Sequence, residues 1–139
     1  MRDLQVMWGM IARCVVGLGL GVIGSIVGYF AGWMVFGPGS SLTAATALLT
    51  SGMGVGAGVG SFPAWLDLDR PRLAQLRCVG LSLLGGILGA WGGSYYAVIV
   101  FDVDVKTQDA RVTALAAAAV GANLGPALWS LGTGLARRS

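Results

Sequence analysis

Three runs free of Asp, Glu, Lys and Arg dominate the chain: Cys14 to Leu66, Cys78 to Phe101 and Val112 to Ala136. Roughly 20 apolar residues suffice to cross the hydrocarbon core of a bilayer, so the second and third runs each hold one span. The first is long enough for two, and Gly37-Pro38-Gly39-Ser40-Ser41 breaks it with residues that favour a tight turn. The pattern therefore predicts four transmembrane helices at about 14–36, 42–66, 78–101 and 112–135, an all-α bundle in a single membrane domain covering 1–139. Ahead of the first span, Leu4, Met7, Trp8 and Ile11 recur at i, i+3, i+4 and i+7, opposite Arg2, Asp3 and Gln5. Residues 1–12 are thus expected to form either a short interfacial segment or an extension of helix 1. The first span is long and no small-x-small site follows a short apolar core, so helix 1 is expected to stay attached.

Composition agrees with the pattern. Apolar residues make up 55% of the chain and charged ones 11%, with mean hydropathy +0.77, against about 25% charged in an ordinary globular chain.

The few charges set an orientation. Positive residues are retained on the cytoplasmic side in short loops. Arg2, Arg13, Arg70, Arg72, Arg77, Arg137 and Arg138 fall on one face of the membrane if both termini and the loop from Asp67 to Arg77 share it, leaving Lys106 and Arg111 on the other. The expected topology is N-in, C-in in the cytoplasmic (inner) membrane. Arg13, Arg70, Arg72, Arg77, Arg137 and Arg138 are expected to meet anionic headgroups, an attraction worth about 1 kcal/mol per residue near the surface. The net charge of +3 then reflects topology rather than nucleic-acid binding, for which no basic surface with interleaved aromatics exists outside the bilayer.

Glycine, with 24 copies, is the strongest signal. At 100° per residue Gly17, Gly21, Gly24, Gly28 and Gly32 of helix 1 fall within an arc of about 80°. Ser82, Gly85, Gly86, Gly89 and Gly93 of helix 3 span about 100°, and Ala114, Ala118, Gly121, Gly125 and Gly132 of helix 4 about 60°. In helix 2, Gly52, Gly56 and Gly60 line one side while Gly54 and Gly58 line nearly the opposite one, so that helix should touch neighbours on both sides. Lipid tails are as apolar as Leu, so membrane helices associate by close contact at small residues. These ridges are expected to pack helices within the protomer and between protomers. The competing reading is a pore or groove in which bare carbonyls of the 52–60 segment face a solute.

The halves resemble each other faintly. Arg13-Cys14-Val15 matches Arg77-Cys78-Val79, and at the same offset Gly21, Ile23 and Gly28 match Gly85, Ile87 and Gly92; Gly58, Pro63 and Ala64 correspond to Gly121, Pro126 and Ala127 at an offset one shorter. A duplicated hairpin with parallel copies is one expectation, although composition bias inflates such matches.

Much chemistry is excluded by the census. The chain has no His and no Glu, one Lys and two Cys, and its six acidic residues are Asp3, Asp67, Asp69, Asp102, Asp104 and Asp109, all outside the uncharged runs. No imidazole is present to ligate haem or zinc or to act as a base near neutral pH. No acidic side chain is available for an intramembrane proton relay, and no phosphate-binding or nucleophile motif is present. No cofactor or metal is expected and the chain reads as non-enzymatic.

Asn123 is the one amide inside a predicted span, where an interhelical hydrogen bond is the commoner role and ligand contact the sharper one. Ser25, Thr46, Thr50, Ser51, Ser61, Ser82 and Ser94 can return their hydroxyls to a carbonyl one turn back. Trp33 and Trp65, near helix ends, suit headgroup anchoring. Trp91, Tyr95 and Tyr96 are expected mainly in core packing, with contact to a lipid, quinone or pigment as the alternative. Pro63 lies near enough to its helix end to terminate it. Cys14 and Cys78 are expected reduced at the cytoplasmic boundary, with juxtamembrane lipidation a weak alternative. Asp102, Asp104 and Asp109 read as solvated charge, because their spacing lacks the Gly and final Glu of a calcium loop.

These observations favour an accessory or scaffolding subunit of a membrane complex or homo-oligomer. Its expected partners are the lipid bilayer and other membrane subunits or itself. A homo-oligomeric channel or carrier for a small neutral, anionic or lipidic solute is the alternative.

Overall fold

The computed structural model describes residues 2–35, 41–104 and 107–136. The expected turn at Gly37 to Ser40, Lys106, Arg137 and Arg138 lie outside the described residues. Four helices, each long and apolar enough to cross a membrane, account for almost all of them: α1 (Arg2–Val35), α2 (Leu42–Trp65), α3 (Arg72–Phe101) and α4 (Gln108–Ala136). No strand occurs among the described residues.

Local chemistry explains the boundaries. Ser41 caps α2 by accepting from the Ala44 N–H at 3.2 Å. Pro63 lies two residues before the end of α2, where its missing N–H leaves the Val59 carbonyl without its helical donor and the helix stops soon after, at Trp65. Pro71 opens α3, and Asp102 ends it in the left-handed region (φ 49°), a conformation that short polar Asp tolerates. Helices α3 and α4 begin at Arg72 and Gln108, ahead of the expected 78 and 112, because long polar side chains at a helix end reach the headgroups while the backbone continues. Residues 2–12 continue α1 without a break. With 34 residues α1 is about 51 Å long, beyond the roughly 30 Å hydrocarbon core, and overhangs at the end that carries both described chain ends.

The helices alternate in direction, and every pair packs together except α1 with α3. Thus α2 and α4 meet across the short diagonal of the bundle. Glycine lines the α1/α2, α3/α4, α2/α3 and α1/α4 interfaces. A methyl group on Gly24 would collide with the Gly56 carbonyl oxygen, and one on Gly28 with that of Gly52. Gly56 and Gly52 return the same contacts, Gly60 meets Leu20 O, and a Cβ added to Gly32 would stand 3.0 Å from Leu48 O. The second hairpin repeats the arrangement with Gly85 against Gly121 O and Gly89 against Ala117 O; a Cβ added to Gly125 would fall 2.9 Å from Leu81 O, and one added to Gly93 2.6 Å from the Ala117 methyl. Gly54 and Gly58, on the opposite side of α2, lie against Ile87 and Leu83 of α3, where an added Cβ would fall 2.6 Å and 2.7 Å from their Cα atoms, and Gly86 lies against Gly54 O. The α1 ridge divides, since Gly21 meets Ser61 and Ala119 and Gly17 meets Asn123. Gly132, assigned to the α4 ridge by helical arithmetic, has open space around it.

Backbones this close leave room for little more than a methyl group. The centre is an alanine cluster, Ala57, Ala90, Ala118 and Ala122, all fully buried. Met53 and Trp65 are large apolar side chains that are also buried in the bundle. Leu and Ile face outward, as at Leu84, Leu88 and Ile99, because in lipid nothing drives them inward.

Gly19 has no neighbour within 4 Å, whereas Gly24 faces backbone that cannot yield. Gly24→Ala is therefore expected to destabilise the protein by about 1–3 kcal/mol, the range for overpacking, and Gly19→Ala to be neutral or slightly stabilising through helix propensity. Reversible unfolding in mixed micelles, followed by circular dichroism, measures both.

Candidate functional site

Ser61, Ser82 and Asn123, half of the buried polar residues among those described, gather toward the end where α1 begins and α4 ends. Asn123 of α4 is 5% exposed. Its Nδ2 donates to Ser61 Oγ at 3.1 Å and to Ala119 O at 2.7 Å, and its Oδ1 accepts from Trp65 Nε1 at 2.8 Å. Ser61 Oγ in turn donates to Gly17 O at 3.0 Å. This network joins α1, α2 and α4, and Cys78 Sγ of α3 approaches Trp65 O at 3.6 Å. Gly17 makes it possible, since a Cβ there would occupy the position of Asn123 Oδ1. One turn away, Ser82 Oγ lies 3.1 Å from Gly58 O and 2.9 Å from Ala122 O, linking α3 to α2 and α4.

These contacts correct the expectations for Trp65 and for Ser61 and Ser82, and for Asn123 they match the commoner of its two roles. Trp65 is buried, not a headgroup anchor: its ring fills space beside Asn123 and its N–H is satisfied there. Ser61 and Ser82 bond across helices rather than one turn back, because glycine brings neighbouring carbonyls within reach. Both ends of the Asn123 amide are engaged by protein, so a helix bridge accounts for it. Trp33 remains exposed near the far end of α1.

Trp91, Tyr95 and Tyr96 are 44%, 71% and 55% exposed. They project from the bundle, because a core sized for alanine cannot admit a ring, and Trp91 Nε1 reaches Ser51 Oγ at 3.3 Å. The aromatic surface therefore faces out rather than packing the core.

Arg13, Arg70, Arg72 and Arg77 lie at one end of the bundle. Arg77 stacks 5.6 Å over Trp129, Arg70 pairs with Asp67 at 3.3 Å, and Arg13 and Arg72 are exposed. Arg13, Asp67, Arg70, Gln75 and Cys78 border a cavity of about 20 Å³, room for about one water. Cys78 is buried and Cys14 half-buried. At the far end Arg111 Nη1 donates to the Tyr29 hydroxyl at 2.8 Å and stacks 5.7 Å from its ring. Neither Tyr29 nor Trp129 carries a sequence signal, since each acquires its cation through tertiary packing. Among the described residues no three of His, Cys, Asp and Glu converge, so Asp102, Asp104 and Asp109 build no cation cage.

On the outer face of the α1/α2 hairpin lies an open groove of about 540 Å³. Gly24, Gly28, Gly52 and Gly56 form its floor and Val27, Val55 and Val59 its walls. The centre of the bundle, by contrast, is closed by the alanine cluster. Comparison with protein-family models, curated proteins and solved structures returns no match.

Ser25 is fully buried and its hydroxyl has no hydrogen-bond partner. An unsatisfied buried hydroxyl opposes folding, so Ser25→Ala is expected to stabilise the protein by about 1 kcal/mol. Asn123→Leu leaves the Trp65 N–H unpaired and is expected to cost about 1–3 kcal/mol. Parallel unfolding curves in mixed micelles test this opposite pair of signs.

Proposed function

We propose that this chain is a non-enzymatic, multi-pass scaffolding subunit that receives a transmembrane helix of a membrane complex, or of a second copy, in its α1/α2 groove. The observation that carries the reading is the contrast between a closed alanine centre and an open apolar groove. Most ridge glycines serve contacts within the protomer. Those of α1 and α2 do so edge to edge, which leaves a shallow backbone-floored channel on the lipid side. A helix lying there gains the same close contacts that hold the hairpin together, where ordinary lipid-facing Leu or Ile would hold it away.

We read the two hairpins as related units. Gly24 over Gly56 and Gly28 over Gly52 have counterparts in Gly85 over Gly121 and Gly89 over Ala117. This register aligns Gly24, not Gly21, with Gly85. The second hairpin, with alanine in place of one glycine, is the more tightly filled copy.

The arginine distribution supports a cytoplasmic location for both termini and for the 66–71 loop in the inner membrane, with Arg13, Arg70, Arg72 and Arg77 set among anionic headgroups. In a chain with Cys14→Ser and Cys78→Ala, cysteine at Ala74 is expected to label from the cytoplasm and cysteine at Thr107 from the opposite side. Reversed labelling would overturn the orientation.

The scaffolding reading is tested in native membranes. Val59→Trp blocks the groove without entering the core and is expected to abolish higher-order species on native electrophoresis while helix content is kept. Leu88→Trp, on the exposed face of α3, is expected to leave assembly unchanged. Assembly that survives Val59→Trp excludes the groove as the interface.

A further inference from the structure

At the far end of the bundle, where α2 and α4 both begin, a crevice of about 60 Å³ is bordered by Thr46, Thr50, Met53, Ser94 and Arg111. That volume accommodates about four waters, or one small ion with part of its hydration. Thr50 and Ser94 are 3% and 8% exposed. Both border the crevice, and among the described residues neither hydroxyl has a hydrogen-bond partner, unlike Thr46, whose hydroxyl donates to Leu42 O at 3.0 Å.

Arg111 is the charged residue that borders the crevice, while Asp109 in the same first turn of α4 is exposed and not part of the lining. Arg111 contributes a guanidinium, and among the described residues no carboxylate pairs with it. Its contact with Tyr29 engages one nitrogen, so most of its five N–H donors stay available. Leu42, Ala45 and Thr46 belong to the first turns of α2, and Arg111 to the first turn of α4. Two helix N-termini, each with a partial positive charge, therefore flank the same space.

We propose that this crevice binds a small monovalent anion of the halide or nitrate class, held by the Arg111 guanidinium and by the Thr50 and Ser94 hydroxyls. A cation is repelled by Arg111. A divalent anion would leave one charge uncompensated among methyl groups in a low-dielectric site, which is costly. An organic anion larger than a few heavy atoms exceeds the volume. Met53, 2% exposed, borders the inner side and the alanine cluster lies beyond, so the site holds an ion rather than conducting it. The proposal is independent of the scaffolding reading.

Chloride, with gluconate as an anion too large for the crevice, is the probe. The purified full chain in mild detergent is unfolded thermally in sodium chloride and in sodium gluconate at equal ionic strength, and chloride binding is followed directly by chlorine-35 line broadening. Chloride is expected to raise Tm saturably over gluconate, as a ligand of the native state does, and to broaden the resonance. Arg111→Gln, and separately Ser94→Ala with Thr50→Val, are expected to weaken the apparent affinity about tenfold or more, the effect of losing a charge-assisted or buried hydrogen bond. Arg70→Gln, at the opposite end, is expected to leave it unchanged. Because each variant is judged by its response to chloride, lowered baseline stability does not obscure the result. Equal Tm in the two salts without line broadening for the unsubstituted chain, or unaltered chloride affinity in both crevice variants, overturns the proposal and leaves water as the occupant.

Discussion

Backbone-to-backbone contact at Gly24, Gly28, Gly52 and Gly56 is the constraint from which the remaining architecture follows. In lipid there is no reward for hiding Leu from solvent, so helices cohere through dispersion and weak Cα–H to carbonyl contacts, which fade within a fraction of an ångström. Only glycine lets the Gly24 and Gly56 backbones approach until each faces the other's carbonyl. Once both hairpins close this way, the interior admits alanine and serine, and Leu84, Leu88, Trp91 and Tyr95 are left on the outside. The protein thus inverts the radial order of a water-soluble domain.

The same closeness decides what polar groups do. A serine in an isolated helix bonds one turn back, yet Ser61 finds Gly17 O and Ser82 finds carbonyls of two neighbouring helices. Asn123 completes its bonds because Gly17 clears space for Oδ1 and because Trp65, though at the end of α2, turns inward. Ser25, with comparable burial, faces no acceptor. Its isolation shows that packing, not polarity, fixes the arrangement of the core.

Of the recesses left after this packing, two differ in kind. The α1/α2 groove is apolar and open to lipid, a product of small residues on both walls of one hairpin. The crevice at Arg111 sets a few polar groups among apolar neighbours and lies where two helices start, so its chemistry comes from a cation, two hydroxyls and the helix ends together. Helix α2 separates them, with Leu48, Gly52 and Val55 on the groove and Leu49, Thr50 and Met53 on the crevice.

The membrane class, the number of spans and the two-sided character of α2 were legible in the sequence, because charge-free length and glycine periodicity depend on local properties of a helix. Gly54 and Gly58 on one side of α2, with Gly52, Gly56 and Gly60 on the other, already required two neighbours. What a periodicity cannot encode is which helix arrives at a given face. That Gly17 and Gly21 meet α4 while Gly24, Gly28 and Gly32 meet α2, that Trp65 points inward while Trp91 points outward, and that Arg111 stacks on Tyr29 beside the unpartnered Thr50 and Ser94 are outcomes of helix crossing. The physical reason is that an interaction between residues distant in the chain depends on the relative position of two helices, which only their mutual close packing determines.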